Sequence, residues 1–186
     1  MMDIQLVPYC EIDGIRSFSD SEIAELYDRM EKDGTAEMVF YDRGVQSRTG
    51  FVALMRRPGT YLYIVVPRSA EGVTEPLAIV WLTQVESKRA YMHFCLFSNA
   101  WGESSVEIGK ATVVRLINMK DGKDQYLFDV FYGITPMVNT DAIRYAEFCG
   151  GKVVFSLPCG VWNGAKKANE TGIFIQYLRE QDKGGS

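Results

Sequence analysis

The sequence predicts a mixed α/β domain, a twisted central sheet of about seven strands flanked by about four helices. Three observations carry that expectation. Strand-like apolar runs recur along the chain, and three of them, 60–67, 76–85 and 89–98, are joined only by short polar connections, as an antiparallel meander requires. Stretches of 3.6-residue periodicity with capping signals stand between other runs. The strand–helix–strand unit at 89–133 holds a helix of about four turns, enough to cover a sheet and return the chain as a parallel, right-handed crossover.

The elements follow in order. Residues 3–9, DIQLVPY, start a strand. In FSDSEIAELYDRMEKDG, Ser19 and Glu22 form a capping box, while Phe18 and Ile23 occupy the two positions of a hydrophobic staple. Ile23, Leu26, Tyr27 and Met30 then make an amphipathic stripe that Gly34 ends. SRTGFVALMRR reads as a shorter helix stopped by Pro58-Gly59, and the three meander strands come next. Beyond them, Ser104 and Glu107 read as a second capping box, opening a helix that runs towards Gly122. QYLFDVFYGIT (125–135) reads as an aromatic strand, with a helix after Asn139 and strands at 152–158 and 171–180 around a polar loop at 160–170. No repeat or linker divides residues 1–180, so one domain is expected, with 181–186 (QDKGGS) as a flexible tail.

Composition narrows the function classes. A hydrophobic content of 47% with 24% charged residues is that of a soluble globular chain. The net charge of −4 and scattered Lys and Arg leave no basic stripe for a phosphate backbone, so no nucleic-acid partner is expected. The N-terminus lacks the long apolar core of a signal peptide, and no run approaches a membrane span, so no membrane partner is expected either. Cys10, Cys95, Cys149 and Cys159 form no CxxC pair and the chain has one histidine, so no metal site is expected. Four dispersed cysteines suit a reducing compartment, and a cytoplasmic protein is expected.

The corner VFYGITPMVNTDAIRYAEFCGG concentrates the local signals. The Asn139 side chain is placed to accept a backbone amide two or three residues on, and Asp141 suits the positive end of the helix dipole. Ala142, Tyr145, Ala146 and Cys149 form the buried stripe. A structural cap accounts for each of these residues, so the local pattern alone leaves open whether Asn139 also lines a cleft.

This stretch, with Asn139, Ala142, Ile143, Glu147 and Gly150 in the pattern N-x-x-A-I-x-x-x-E-x-x-G after an aromatic strand, resembles the last motif of the GCN5-related N-acetyltransferases. The order of elements over residues 1–180 is also similar to that family's. The family's pyrophosphate-binding frame falls on Asn99-Ala100-Trp101-Gly102-Glu103-Ser104, where Gly102 matches, Ser104 is small and Asn99 stands in place of a basic residue. Helix-terminal amides and the dipole make such a loop an anion site. Glu103 and Glu107 put negative charge beside it.

The resemblance implies acetyl-coenzyme A as co-substrate, bound by Leu96, Phe97, Ser98, Trp101, Gly102, Glu103, Ser104, Ser105 and Asn139. The thioester carbonyl would take a backbone N–H near Leu96 or Phe97. It implies acetyl transfer by direct attack to an amine on a small molecule or protein. Trp101 either covers a ligand or packs on the sheet edge. The family's acidic Tyr falls on Ala146, next to Tyr145. His93, the one histidine, is either the general base or a hydrogen-bonded core residue. Asp129, read as a carboxylate inside a buried strand, either pairs with an Arg or serves in the cleft. The 160–170 loop either selects the acceptor or is surface. The alternative function is a non-catalytic module that keeps the fold without the cofactor chemistry. Exposed aromatic strand edges would permit a homodimer.

Overall fold

The computed structural model describes residues 2–68 and 75–180. In chain order the elements are β1 (Ile4–Pro8), a small hairpin of β2 (Glu11–Ile12) and β3 (Ile15–Arg16), α1 (Asp20–Lys32), α2 (Ala36–Val39), α3 (Arg48–Met55), β4 (Tyr61–Pro67), β5 (Ala78–Glu86), β6 (Arg89–Leu96), α4 (Ser105–Ile117), β7 (Val130–Pro136), α5 (Thr140–Phe148), β8 (Lys152–Asn163) and β9 (Ala168–Leu178). Seven strands form one mixed sheet in the order β1-β4-β5-β6-β7-β9-β8. All its neighbours pair antiparallel except β6 and β7, which α4 joins as the parallel crossover.

Strand alternation divides the sheet between two cores. Ala78, Val80 and Leu82 of β5 turn to the face covered by α4 and α5, where Ile108, Leu116, Phe131 and Ile175 are buried. Ile79 and Trp81 turn to the other face, under α1–α3, with Ile23, Met30, Phe51 and Met55. The Ser19 capping box forms: its hydroxyl accepts the Glu22 amide, and the Glu22 carboxylate accepts the Ser19 amide at 2.7 Å. No helix among the described residues is long and apolar enough to cross a membrane.

Several expectations are corrected. α4 stops at Ile117, because the Asp121 carboxylate gathers the amides of Lys123 and Gln125 into a tight turn. That turn delays the aromatic strand to Val130, and Leu127 bonds back to Met119 O. The polar 160–170 segment is largely strand: β8 and β9 run as a hairpin to Asn163 and Ala168 and absorb two irregularities in register. The expected flexible tail at 181–186 lies outside the described residues.

The β6–β7 ladder is short. It pairs Arg89–Tyr91 with Val130–Tyr132 and then stops, although both strands continue. This parting of two parallel strands shapes the site.

Candidate functional site

Where β6 and β7 diverge, a cleft of about 1340 Å³ passes through the sheet. On the α4–α5 side its walls include Gly109, Asn139, Ala142 and Tyr145; on the α1–α3 side they include Tyr41, Asp42, Thr83 and His93. Between them lie Met92–Leu96 of β6 and Gly133–Pro136 of β7.

Ladder arithmetic shows which backbone groups face the gap. The Phe97 amide donates to Leu77 O, so alternate residues of β6 (Cys95 and His93) also turn their backbone groups to β5. Phe94 and Leu96 turn theirs towards the gap. Of the two amides expected near the thioester carbonyl, Leu96 therefore faces the opening and Phe97 does not. The Phe97 side chain is fully buried beneath the Arg29 guanidinium, 4.4 Å from the ring centroid. Ser98 is committed as well: its amide and hydroxyl both donate to the Asp33 carboxylate, at 2.7 and 2.6 Å.

The second capping box does not form. Ser104 has helical backbone angles (φ −81°, ψ −11°) and its side chain takes no amide. The Ser105 amide donates to Gly102 O and the Ile108 amide to Ser104 O. Gly102, Glu103, Ser104, Val106 and Glu107 keep backbone N–H groups with no protein acceptor among the described residues. This is a cluster of free donors at a helix start, the physical basis of an anion site. Glu103 and Glu107 are exposed and, among the described residues, make no side-chain hydrogen bond or ion pair. Asn99 donates to Pro76 O, so the residue in the basic position is used locally. Trp101 is half exposed and donates from Nε1 to Leu96 O, fixing the loop against the end of β6.

Asn139 has both roles that its sequence left open. Its Oδ1 accepts the Ala142 amide at 3.2 Å, capping α5, and its half-buried side chain lines the cleft. Its Nδ2 donates to no protein group among the described residues. Tyr145 also lines the cleft, its ring stacked on Phe94 at 5.8 Å, but its hydroxyl donates to Ser105 O. That bond ties α5 to α4, and burial pushes the pKa of this phenol, one residue from the family's Tyr position, up. Asp129 is corrected in place, while of its two expected roles the structure has the pairing with an Arg. It precedes β7, is half exposed and pairs with Arg179 at 2.7 Å, away from the cleft.

His93, the one histidine of the chain, is also brought into the cleft, on the same side as Asp42. Its ring stacks on Trp81 (5.1 Å, 8°), its Nε2 lies 3.1 Å from Thr83 Oγ1, and its outer side is open to the cleft. The surrounding walls desolvate the packed side of the ring and push its pKa down to about 4, an effect that the Asp42 carboxylate opposes, while the outer side stays exposed. The imidazole is thus neutral at pH 7. Cys95 and Cys149 also line the cleft, but burial raises both thiols to about 11, so neither is a ready nucleophile. No cluster of metal-ligating side chains occurs among the described residues.

One feature the sequence reading missed is the closure of the α1–α3 side. The Gly164 amide at the tip of the β8–β9 hairpin donates to Tyr41 O, and Asn163, buried at 6% exposure, donates to the Tyr41 hydroxyl at 2.9 Å. The hairpin is therefore clasped to the segment between α2 and α3, and Trp162 joins the cleft wall.

No protein-family model and no curated protein sequence matches the chain. Solved structures do match its fold. Spermidine N-acetyltransferase from Vibrio cholerae, in complex with CoA and spermine, superposes with a TM-score of 0.64 at 11% identity over 94% of this chain and 95% of that one. The microcin C7 self-immunity acetyltransferase MccE, in complex with acetyl-CoA and AMP, gives 0.67 at 13% identity over 95% and 93%. The ribosomal-protein alpha-N-acetyltransferase RimL, in complex with coenzyme A, gives 0.66 at 12% identity over 97% and 96%. The chain thus has the GCN5-related N-acetyltransferase fold that its motifs resemble.

Proposed function

We propose, with this fold as premise, that the protein transfers an acetyl group from acetyl-coenzyme A to an amine by direct attack. The observation that carries the reading is the opening through the sheet, with free helix-start amides on the α4 side and a neutral, cleft-facing His93 on the other. Acetyl-coenzyme A supplies the acetyl group as a thioester. The amides of Gly102, Glu103, Ser104, Val106 and Glu107 hold its diphosphate, Asn139 Nδ2 donates to its pantetheine arm, and the Leu96 N–H polarises the carbonyl. His93 takes the proton from the acceptor amine, with Thr83 fixing the ring; as the C–N bond forms the C–S bond breaks, and coenzyme A leaves as a thiolate that takes its proton from water. The two high-pKa thiols support direct attack over a covalent enzyme intermediate. Four free cysteines suit a reducing, cytoplasmic setting.

Thermal unfolding with and without millimolar acetyl-coenzyme A tests the reading, with plain ATP as a polyanion control. Ligand at a hundred times its Kd adds about 2.7 kcal/mol to stability, a readily measured shift. A shift specific to the acetylated cofactor is expected. An absent shift would favour a non-catalytic module, a second reading supported by Asn99 in the basic position and by Glu103 and Glu107 beside the amides.

Asn139→Ala separates cap from ligand contact. Loss of the cap costs about 1 kcal/mol, read by chemical denaturation. The cofactor-induced melting shift is expected to shrink further than that stability loss explains. A variant that loses stability and keeps the full shift would restrict Asn139 to capping.

A further inference from the structure

The helices α1–α3 cover β4, β5 and the end of β6, and stop short of the β7–β9–β8 half of the same face. On that uncovered half four rings touch in series. Tyr91 lies 6.0 Å from Tyr132, Tyr132 5.1 Å from Phe174, and Phe174 stacks on Phe155 at 4.8 Å and 9°. None of the four belongs to either core. They floor a trough of about 530 Å³, room for a drug-sized molecule or a few residues of chain.

The trough joins the cleft. Tyr91 and His93 point to the same face of β6, two residues or about 7 Å apart. Gln84 lines both cavities, turned there by its positive φ of 50° at the bulge between Thr83 and Glu86. The carboxamides of Gln84 and Gln176, both on the trough wall, make no hydrogen bond among the described residues. Each can donate and accept, the complement a peptide group presents. The charges on the rim, Arg89 and Glu86, neutralise each other at 3.0 Å, so the trough holds no free carboxylate to favour a polycation.

We infer that the trough binds the chain of an extended peptide acceptor, its free N-terminus at His93 and an apolar or aromatic side chain from its next residues on the four-ring floor. The inference rests on the acetyl-transfer reading only for the position of the amine.

The test is fluorescence anisotropy with two C-terminally labelled peptides, Ala-Phe-Leu-Gly and Ala-Gly-Gly-Gly, run beside the acetyl-coenzyme A melting assay. The aromatic peptide is expected to bind about tenfold tighter, and Phe155→Ser to erase most of that preference while the cofactor shift stays intact. Phe155 is half exposed, so its loss spares the fold; Gln84→Gly supplies a second variant, expected to weaken both peptides. Equal affinities, or a preference that neither variant changes, overturn the proposal. So does a trough covered by a second copy of the chain, seen as a dimer that Phe155→Ser dissociates and that binds neither peptide. Selective binding without a cofactor shift leaves the trough standing and removes the acetyl-transfer reading. A cofactor shift without selectivity does the reverse.

Discussion

Replacing His93 by Gln is expected to lower the rate of acetyl transfer by about 10²-fold, the low end of a positioned general base's contribution, because a pKa near 4 makes the imidazole a weak base. Gln keeps a polar group within reach of Thr83 Oγ1, so the fold and the cofactor shift should survive and the loss should fall on the chemical step. A His93 that only filled the stack on Trp81 would leave the rate nearly unchanged. The chain has one histidine, so its imidazole proton resonance can be followed without assignment. The cleft walls hold its pKa near 4, and the resonance should stay in the neutral position as pH falls well below the ordinary value of about 6.5. The sign of the stability effect follows. The folded pKa lies below the unfolded one, so between pH 6.5 and 4 the unfolded chain binds more protons. His93's contribution to stability is complete above about 6.5 and is lost as pH falls towards 4, a loss that the Gln variant should not show. Titration at an ordinary 6.5 would mean a wet, screened ring without the proposed environment.

What the sequence made legible was what is encoded locally. The Asn139 corner could be read because cap, dipole partner and stripe lie within a dozen residues; the structure keeps the cap, but of the expected buried stripe only Cys149 is buried, while Ala142, Tyr145 and Ala146 are half-buried along the cleft. The meander and the crossover followed from run lengths and connection lengths, which constrain pairing directly. The failures have equally particular causes. Ser104-x-x-Glu107 has the residues of a capping box, but Ser104 takes helical angles, so its hydroxyl is not aimed at the Glu107 amide. Periodicity does not reveal that, and it matters, because the unformed box leaves the amides free. Asp129 seemed buried because apolar residues surround it in sequence. The Asp121 turn instead delays the strand and leaves Asp129 with Arg179 at its entrance. β8 is the edge strand and is exposed from Lys152 to Cys159, so the run that leads into the 160–170 hairpin tip carries no apolar alternation to find. Asp13-Gly14 between Ile12 and Ile15 was a readable turn signal for the β2–β3 hairpin, and both residues take the positive φ it implies. His93 posed a false choice. It is a packed residue on one ring face and a cleft residue on the other, which needs the position of β7 to see.

Gly109→Ala is expected to cost about 1–3 kcal/mol, the range for forcing a methyl into a packed core, more than the Asn139 cap. A β-carbon at Gly109 would land on Cys149 Sγ and on the Tyr145 hydroxyl. Neither is free to move far. The Tyr145 hydroxyl is bonded to Ser105 O and its ring is stacked on Phe94, while Cys149 is buried between α4 and α5. Relief must come from separating the helices, and these are the helices that carry the candidate anion site and Asn139. The substitution should therefore weaken acetyl-coenzyme A binding from a position in mid-helix, away from the free amides, along with the loss of stability. Pairing it with Cys149→Ala makes the steric cause explicit. Removing the sulfur restores part of the space, so the double variant should be more stable than the two single losses added together, the non-additivity expected of groups in direct contact. Strict additivity would place the cost of the alanine elsewhere and would separate the α4–α5 contact from the geometry of the cleft.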